Sequence, residues 1–514
     1  GSRYRHDADF DWDKMMQYFG PAAEAYQSAA EIARSSPEVH RAECELWFQI
    51  MYAAAYKKTS PYPAFEKAKS ACSQAIKASS AEKEAHLQLA HVHSGMAFQV
   101  SQGRTGGKED PLPLIKEAIS YANAAVQANA DNPLAHFVQG NATWAQISYD
   151  MEHRIDPKDA FDRAIAAYES ALRLDPRFLW ALTELAQVHY QKLTRDAWLG
   201  IDVAPSVENA IDVANRAIAL DPTSPIGPYT KALPYVVVAE QRIKMGKSPQ
   251  EQIGLATQAA EASRTLAPKA ALPQHLLCRI KRVQALYDIV SGAQATESIG
   301  KALQCAHDSE ALAADASETH ESLGGAYLLE AMYSLRNGQN PTSSVEHARK
   351  AFGRAIDKDA AGPSARIDLA RVEVIAIRWA LAEHKISATM FDAARKPLAP
   401  LLSEECDDPR IYEIVAEIIE LRARWHAASH SSPDDDITQG LVMADRALAK
   451  NPNMADALAT RAQLHLEQAR ATHDGQTRAA AARQAKTDFE NAFRKNPLLE
   501  RLYGGEVKEA AALL

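Results

Sequence analysis

The side chains best spaced for chemistry fall into a few small groups. Gly103 to Asp110, GRTGGKED, holds the glycines and the lysine of a phosphate-cradling loop. Such a loop needs Ser or Thr after its lysine to hold magnesium, and glycine at its first position. Here Glu109 follows Lys108 and Gln102 stands at the first position, so the segment reads as a plain loop. His426 and His430 are four apart with Asp434 to Asp436 close behind, which on one helix would let two imidazoles share a metal. A lone pair of this kind beside an acidic run is more often solvent-facing, and no HExxH occurs, so no metal is expected. The acidic run reads as a solvated loop in which Asp436 caps the next helix. His91 and His93, two apart, point to different sides of a helix. No serine or cysteine sits in a nucleophile elbow, and the GxGxxG, HRD and DFG elements of kinases are absent. The chain is therefore read as a non-enzyme with no cofactor.

Regularity lies instead in the elements that would position any site. From Ala164 to Tyr190, AIAAYESALRLDPRFLWALTELAQVHY, Ala164, Tyr168, Ala171 and Leu172 share one helical face, Asp175-Pro176 ends that helix, and Leu182, Leu185, Ala186 and His189 form the face of the next. The pattern recurs every 46 residues. One ladder runs Ala118, Ala164, Ala210, Ala256, Ala302, Ala348, Ala394, Gly440. A second runs Gly140, Ala186, Ala232, Cys278, Gly324, Ala370, Ala416, Ala462, and Cys44 and Ala90, themselves 46 apart, extend it upstream with four extra residues before the rest. A small residue lets two helices approach closely, and one per unit fixes the same crossing each time. Tyr149, Tyr287, Tyr333, Trp379 and Trp425 stand nine residues after the second ladder, which predicts a first helix that continues that far. Pro397 and Pro400 fall inside an expected second helix, where a kink is predicted.

These residues resemble the tetratricopeptide (TPR) pattern W-x2-L-G-x2-Y, with Leu182, Ala186 and His189 in place of its Trp, Gly and Tyr. The usual unit is 34 residues, and this one is longer. The resemblance implies an all-α fold, an α-solenoid wound as a right-handed superhelix of about ten TPR-like helix pairs. Residues 1–18 read as a tag scar and leading segment, 19–496 as the solenoid and 497–514 as a C-terminal capping helix. The stretch from Ala449 to Arg501 is also similar to the TPR-rich C-terminal regions of large bacterial serine/threonine kinases.

In a TPR array the first helix of each unit lines the concave face. The resemblance thus implies inward positions six and three before, and one and four after, each residue of the second ladder. Around Gly140 these are Leu134, Phe137, Asn141 and Trp144; around Ala186, Trp180, Thr183, Gln187 and Tyr190. Around Ala232 they include Tyr229, and around Cys278, Arg279 and Arg282. Glu318, Glu321, Glu413, Glu417 and Glu420 make later units acidic. The aromatics either anchor a ligand or pack between the longer helices. On the first reading Phe137, Asn141, Trp144, Trp180, Gln187, Tyr190, Tyr229, Arg279 and Arg282 bind a protein or peptide, with an acidic group toward the arginines.

A chain of 514 residues, 46% hydrophobic and 24% charged, can bury a large core. The net charge of −9 and a pI near 6.0 argue against a nucleic-acid partner. No apolar run is long enough to span a bilayer. Five scattered cysteines without a CxxC read as reduced, packed thiols of a cytoplasmic protein. The function expected is a recognition scaffold, the sensor or docking region of a larger bacterial signalling protein such as a Ser/Thr kinase. The alternative is a structural module that self-associates, and an embedded enzyme ranks third.

Overall fold

The computed structural model describes residues 12–56, 59–80, 83–101, 110–359, 362–403 and 406–514. The loop segment 103–109 lies outside the described residues. Among the described residues there are 22 α-helices and no β-strand. After α1 (Trp12–Ile32), first helices alternate with second helices. The first helices are α2 (Pro37–Tyr56), α4 (Lys83–Ser101), α6 (Pro133–Glu152), α8 (Leu179–Leu199), α10 (Ile226–Lys244), α12 (Ala271–Ser291), α14 (Ser317–Arg336), α16 (Pro363–Ala382), α18 (Pro409–Ala428) and α20 (Ala455–Ala471). The second helices are α3 (Tyr62–Ala78), α5 (Leu112–Ala128), α7 (Ala160–Leu174), α9 (Ala204–Leu220), α11 (Gln250–Leu266), α13 (Thr296–Ala313), α15 (Thr342–Lys358), α17 (Ala388–Arg395), α19 (Asp434–Lys450) and α21 (Gly475–Lys495). A last helix, α22 (Glu500–Ala512), follows. The chain is an all-α solenoid of TPR-like pairs. It divides into two compact units: residues 1–152, 157–189 and 219–222 form unit 1, and 153–156, 190–218 and 223–514 form unit 2.

The small ladders lie where helices touch. Ala118, Ala164, Ala210, Ala232, Ala256, Ala302, Ala348, Ala370, Ala394, Ala416 and Ala462 are fully buried. Two glycine rungs are matched to a ring on the following helix. A Cβ added at Gly140 would stand 2.6 Å from Cε1 of Tyr168, and one at Gly324 would stand 2.8 Å from the Phe352 ring. Both rings are themselves fully buried, so glycine supplies the space that they fill.

The same closeness corrects the reading of the cysteines. Cys44–Cys72 and Cys278–Cys305 are disulfide-bonded, each joining the first helix of a unit to its second. Their Cα atoms are 5.2 and 5.4 Å apart, within the span that a disulfide requires. A rung is where two backbones approach most closely, so two cysteines facing across it are placed to bond. Cys406 remains a free, buried thiol.

A further ladder explains the longer first helix. Arg154, Gly200, Gly246, Gly292, Gly338, His384 and His430, each 46 residues from the next, all have φ between 55° and 88°. The residue after each of the last six donates its N–H to the carbonyl five back. Examples are Lys247 to Arg242 at 2.8 Å, Ala293 to Asp288 at 2.9 Å and Ser431 to His426 at 2.9 Å. This is the Schellman closure, in which a left-handed residue satisfies the last carbonyls of a helix. The first helices therefore run through Tyr149, Tyr287, Tyr333, Trp379 and Trp425, as expected, and stop at one fixed register.

That closure settles the histidine pair. His430 is the left-handed residue beyond the end of α18, so it does not share a helical face with His426. Asp436 does not cap α19, which begins at Asp434 after Pro433. It accepts from His426 Nδ1 at 2.6 Å and from Arg422 Nε at 2.9 Å. Among the described residues no group of three or more His, Cys, Asp or Glu is placed to hold a metal. The prolines do more than kink their helix: α17 stops at Arg395, and residues 396–401 continue as a 3-10 helix. Pro397 and Pro400 lack the N–H that an α-helix needs at those positions.

Within unit 2, helix ends distant in sequence meet. Asp407 donates its N–H to the carbonyl of Arg154 at 2.6 Å, and Asn451 donates to the carbonyl of Trp198 at 2.9 Å. Arg501 donates to the carbonyl of Ser291. Asp408 is wholly buried between Arg410 and Arg154. Burial alone would raise its pKa, but the two guanidiniums and the hydrogen bonds from Arg410 hold it down at about 2.

Candidate ligand-binding face

The site residues expected from the sequence divide between the two units. In unit 1, Phe137 is buried in an aromatic cluster, with its ring centroid 5.0 Å from Phe178, 5.9 Å from Tyr168 and 6.3 Å from Trp180. Trp180 is the exposed member, at 39%. Asn141 is not offered to a ligand by its oxygen, because Oδ1 accepts from the Tyr168 hydroxyl at 2.7 Å. Trp144 is half-buried and stacks on Phe98 at 5.6 Å. Gln187 is half-buried. Phe137 and Asn141 thus serve packing, while Trp180 presents a ring to solvent.

In unit 2, Tyr190, Tyr229, Arg279 and Arg282 are half-buried. Arg279 is not free for a ligand's acid. It makes a forked pair with Glu240, with both nitrogens 2.9 Å from the carboxylate, and donates a third bond to the Tyr190 hydroxyl at 3.0 Å. Burial disfavours the charge on Arg279, but Glu240 and Tyr190 outweigh it and leave the group well above its ordinary pKa. Arg282 donates to the carbonyl of Glu321 at 3.1 Å, and its Nε is buried without a hydrogen-bond partner. Burial lowers the Arg282 pKa and raises that of Glu321 to about 7. The expectation of two arginines awaiting one carboxylate is corrected: Glu240 already fills the fork of Arg279, and Arg282 is turned to a main-chain carbonyl.

The sequence window missed Glu240, which stands eight residues after Ala232. Three ion pairs from one repeat to the next share a spacing of 39 residues: Glu240 with Arg279, Arg378 with Glu417, and Arg470 with Glu509. Successive first helices run parallel, and 39 is one repeat of 46 less two helical turns. A residue eight after one rung therefore faces a residue one after the next. Opposite charges at i and i+39 are visible in the sequence and could have located this ladder.

The ladder is enclosed but not dry. Arg279 and Glu240 expose 27% and 33% of their side chains, and Arg378 and Glu417 expose 29% and 20%. Lys244, one turn beyond Glu240 on α10, is exposed. Desolvation by the surrounding protein lowers its pKa even so, and Arg410 and Arg371 push the same way against Glu240 and Asp456. Deeper in, Glu420 is wholly buried beside Arg424, which also reaches Glu467 and Glu506 of α22. Burial raises Glu420 to about 7, against the pull of Arg424 and Arg378.

No protein-family model matches this chain, and no curated protein matches it. Solved structures do. The human IFIT1 dimer with m7Gppp-AAAA matches with a TM-score of 0.46 at 15% identity, over 93% of this chain and 90% of that one. Yeast Tom70 matches with a TM-score of 0.35 at 11% identity, over 95% and 96%. A TPR protein of Thermus thermophilus, TTC0263, matches with a TM-score of 0.33 at 16% identity, over 47% and 98%. One expectation is corrected here. The net charge and pI argue against a nucleic-acid partner, yet a structure matched over most of its length carries m7Gppp-AAAA. Net charge sums over a whole surface and does not describe a face. Arg279, Arg282, Arg371, Arg378, Arg410 and Lys244 lie in unit 2, interleaved with Glu240, Glu321, Asp368, Glu417 and Asp456.

Among the described residues no helix is long and apolar enough to cross a membrane.

Proposed function

We propose that this chain is a non-catalytic recognition scaffold that takes a segment of a partner protein on the first-helix face of unit 2. The observation that carries the reading is the solvent-accessible ladder. Arg279, Glu240, Arg378 and Glu417 keep a fifth to a third of their side chains accessible, so a ligand can reach these charges without first unburying them. Each arginine already has a carboxylate, so the fitting ligand is a polar segment carrying both charge signs, which exchanges partners with the ladder. Tyr190 and Tyr229 beside Arg279 supply flat contact area at low entropic cost. The likeness of Ala449 to Arg501 to kinase-associated TPR regions supports the finer proposal that the scaffold is a sensor or docking region of a larger signalling protein.

The test is photo-crosslinking from position 229 in source lysate, followed by identification of the captured chain. Arg279→Ala should abolish the cross-linked species, and Lys350→Ala, on the exposed side of α15, should leave it intact. An Arg279→Ala protein that captures the same partner in the same yield refutes the reading.

A further inference from the structure

The irregular unit contains a crevice that the ladder does not use. Because α17 ends early and the chain continues as a 3-10 helix, Leu402 and Ser403 stand apart from α19. The gap between them, floored by α18, has a volume of about 400 Å³. Tyr412, Val415 and Ile419 form the floor, and Val442 and Met443 form one wall. Most of this surface is apolar, and Val442 is 46% exposed. Two cations, Arg395 and Arg446, are among the lining residues, and no carboxylate of the described residues lines it. Neither arginine takes part in a salt bridge among the described residues, and Arg446 lies over the Tyr412 ring at 6.0 Å. Three acids of the neighbouring segments are engaged elsewhere: Asp407 with Lys450, Asp408 with Arg410, and Asp445 with Arg461.

We propose that this crevice is a binding site for a small apolar acid, a medium-chain acyl or aryl carboxylate. The volume lies within the range of small-molecule pockets, roughly 300–1,000 Å³, which are apolar with a few fixed polar groups. The apolar body lies against Leu402, Val415, Ile419 and Met443. The carboxylate meets Arg446 and Arg395, whose planar forks match it. The two arginines disfavour a cation of the same shape.

Decanoate titrated into the full chain by calorimetry tests this directly, with decyltrimethylammonium as the cationic counterpart. Saturable one-to-one binding of decanoate is expected, tighter than the ammonium by about tenfold or more, as charge-assisted hydrogen bonds imply. Val442→Trp should fill the crevice and Arg446→Glu should reverse one of its charges, and each should reduce decanoate affinity at least about tenfold. Both side chains are exposed, so unfolding midpoints should match the wild type. Absence of saturable decanoate binding, equal binding of the ammonium, or unchanged affinity in both variants overturns the proposal. A peptide ending in a Phe carboxylate that binds more tightly than decanoate overturns the assignment to a free acid.

Discussion

Replacing Gly140 with alanine sets two effects against each other, and the structure decides which wins. In the interior of a helix, glycine to alanine favours folding by about 1 kcal/mol. At Gly140 the new methyl would lie 2.6, 2.7 and 2.8 Å from three atoms of the Tyr168 ring. Tyr168 cannot swing away, since it is fully buried and its hydroxyl is bonded to Asn141. Overpacking of this kind costs about 1–3 kcal/mol. Gly254 and Gly300 provide the control: both lie within second helices, and nothing stands within 4 Å of an added Cβ. Gly254→Ala and Gly300→Ala should each stabilise by about 0.5–1 kcal/mol. Gly140→Ala should lie about 1–3 kcal/mol below them, between neutral and clearly destabilising. Repeat arrays need not unfold in two states, so hydrogen exchange resolved to α6 and α7 is the better readout, with urea midpoints beside it. In a Tyr168→Ala background the clash is gone and Gly140→Ala should turn stabilising. If Gly140→Ala protects α6 as much as Gly254→Ala protects α11, the account of the ladder is wrong.

Four further predictions follow from named contacts. His430→Gly should stabilise by up to about 1 kcal/mol and Gly246→Ala should destabilise by about 1–2 kcal/mol, because both positions are left-handed; thermal midpoints will show it. A non-reducing peptide map should recover Cys44–Cys72 and Cys278–Cys305, and each bridge, closing a loop of 28 or 27 residues, should contribute about 3–4 kcal/mol against reduction. Glu420, raised to about 7, binds its proton more tightly folded than unfolded, so its contribution is full below pH 4.5 and is lost as pH rises toward 7. The stability of Glu420→Gln relative to wild type should therefore rise between pH 5 and pH 8, and a flat difference in midpoint would contradict the burial argument. Chelator should leave the thermal midpoint unchanged, since a metal bound only to the folded chain would stabilise it; a clear drop would reopen the question of a metal site.

The sequence by itself determined the helix pairs, their 46-residue period and the burial of the small rungs, because each depends on spacing within one or two neighbouring helices. Ala186 and Ala370 could be placed at contacts without coordinates for that reason. The left-handed ladder was equally legible, since Gly200, Gly246, Gly292 and Gly338 repeat at the same period, although Arg154, His384 and His430 disguise it. Partnership across units was less legible. Arg279 looked available because the window around Cys278 did not reach Glu240 on the preceding first helix, and only the two-turn offset between parallel helices brings them together. The tertiary structure alone decided the rest. Cys44 and Cys278 each had a partner one helix away, but nothing in the spacing of five scattered cysteines said that two pairs would face each other. The meetings of Arg154 with Asp408 and of Asn451 with Trp198 join residues about 250 apart. Such contacts depend on a small rotation added at every pair and summed over five of them, and no local pattern of residues encodes a sum.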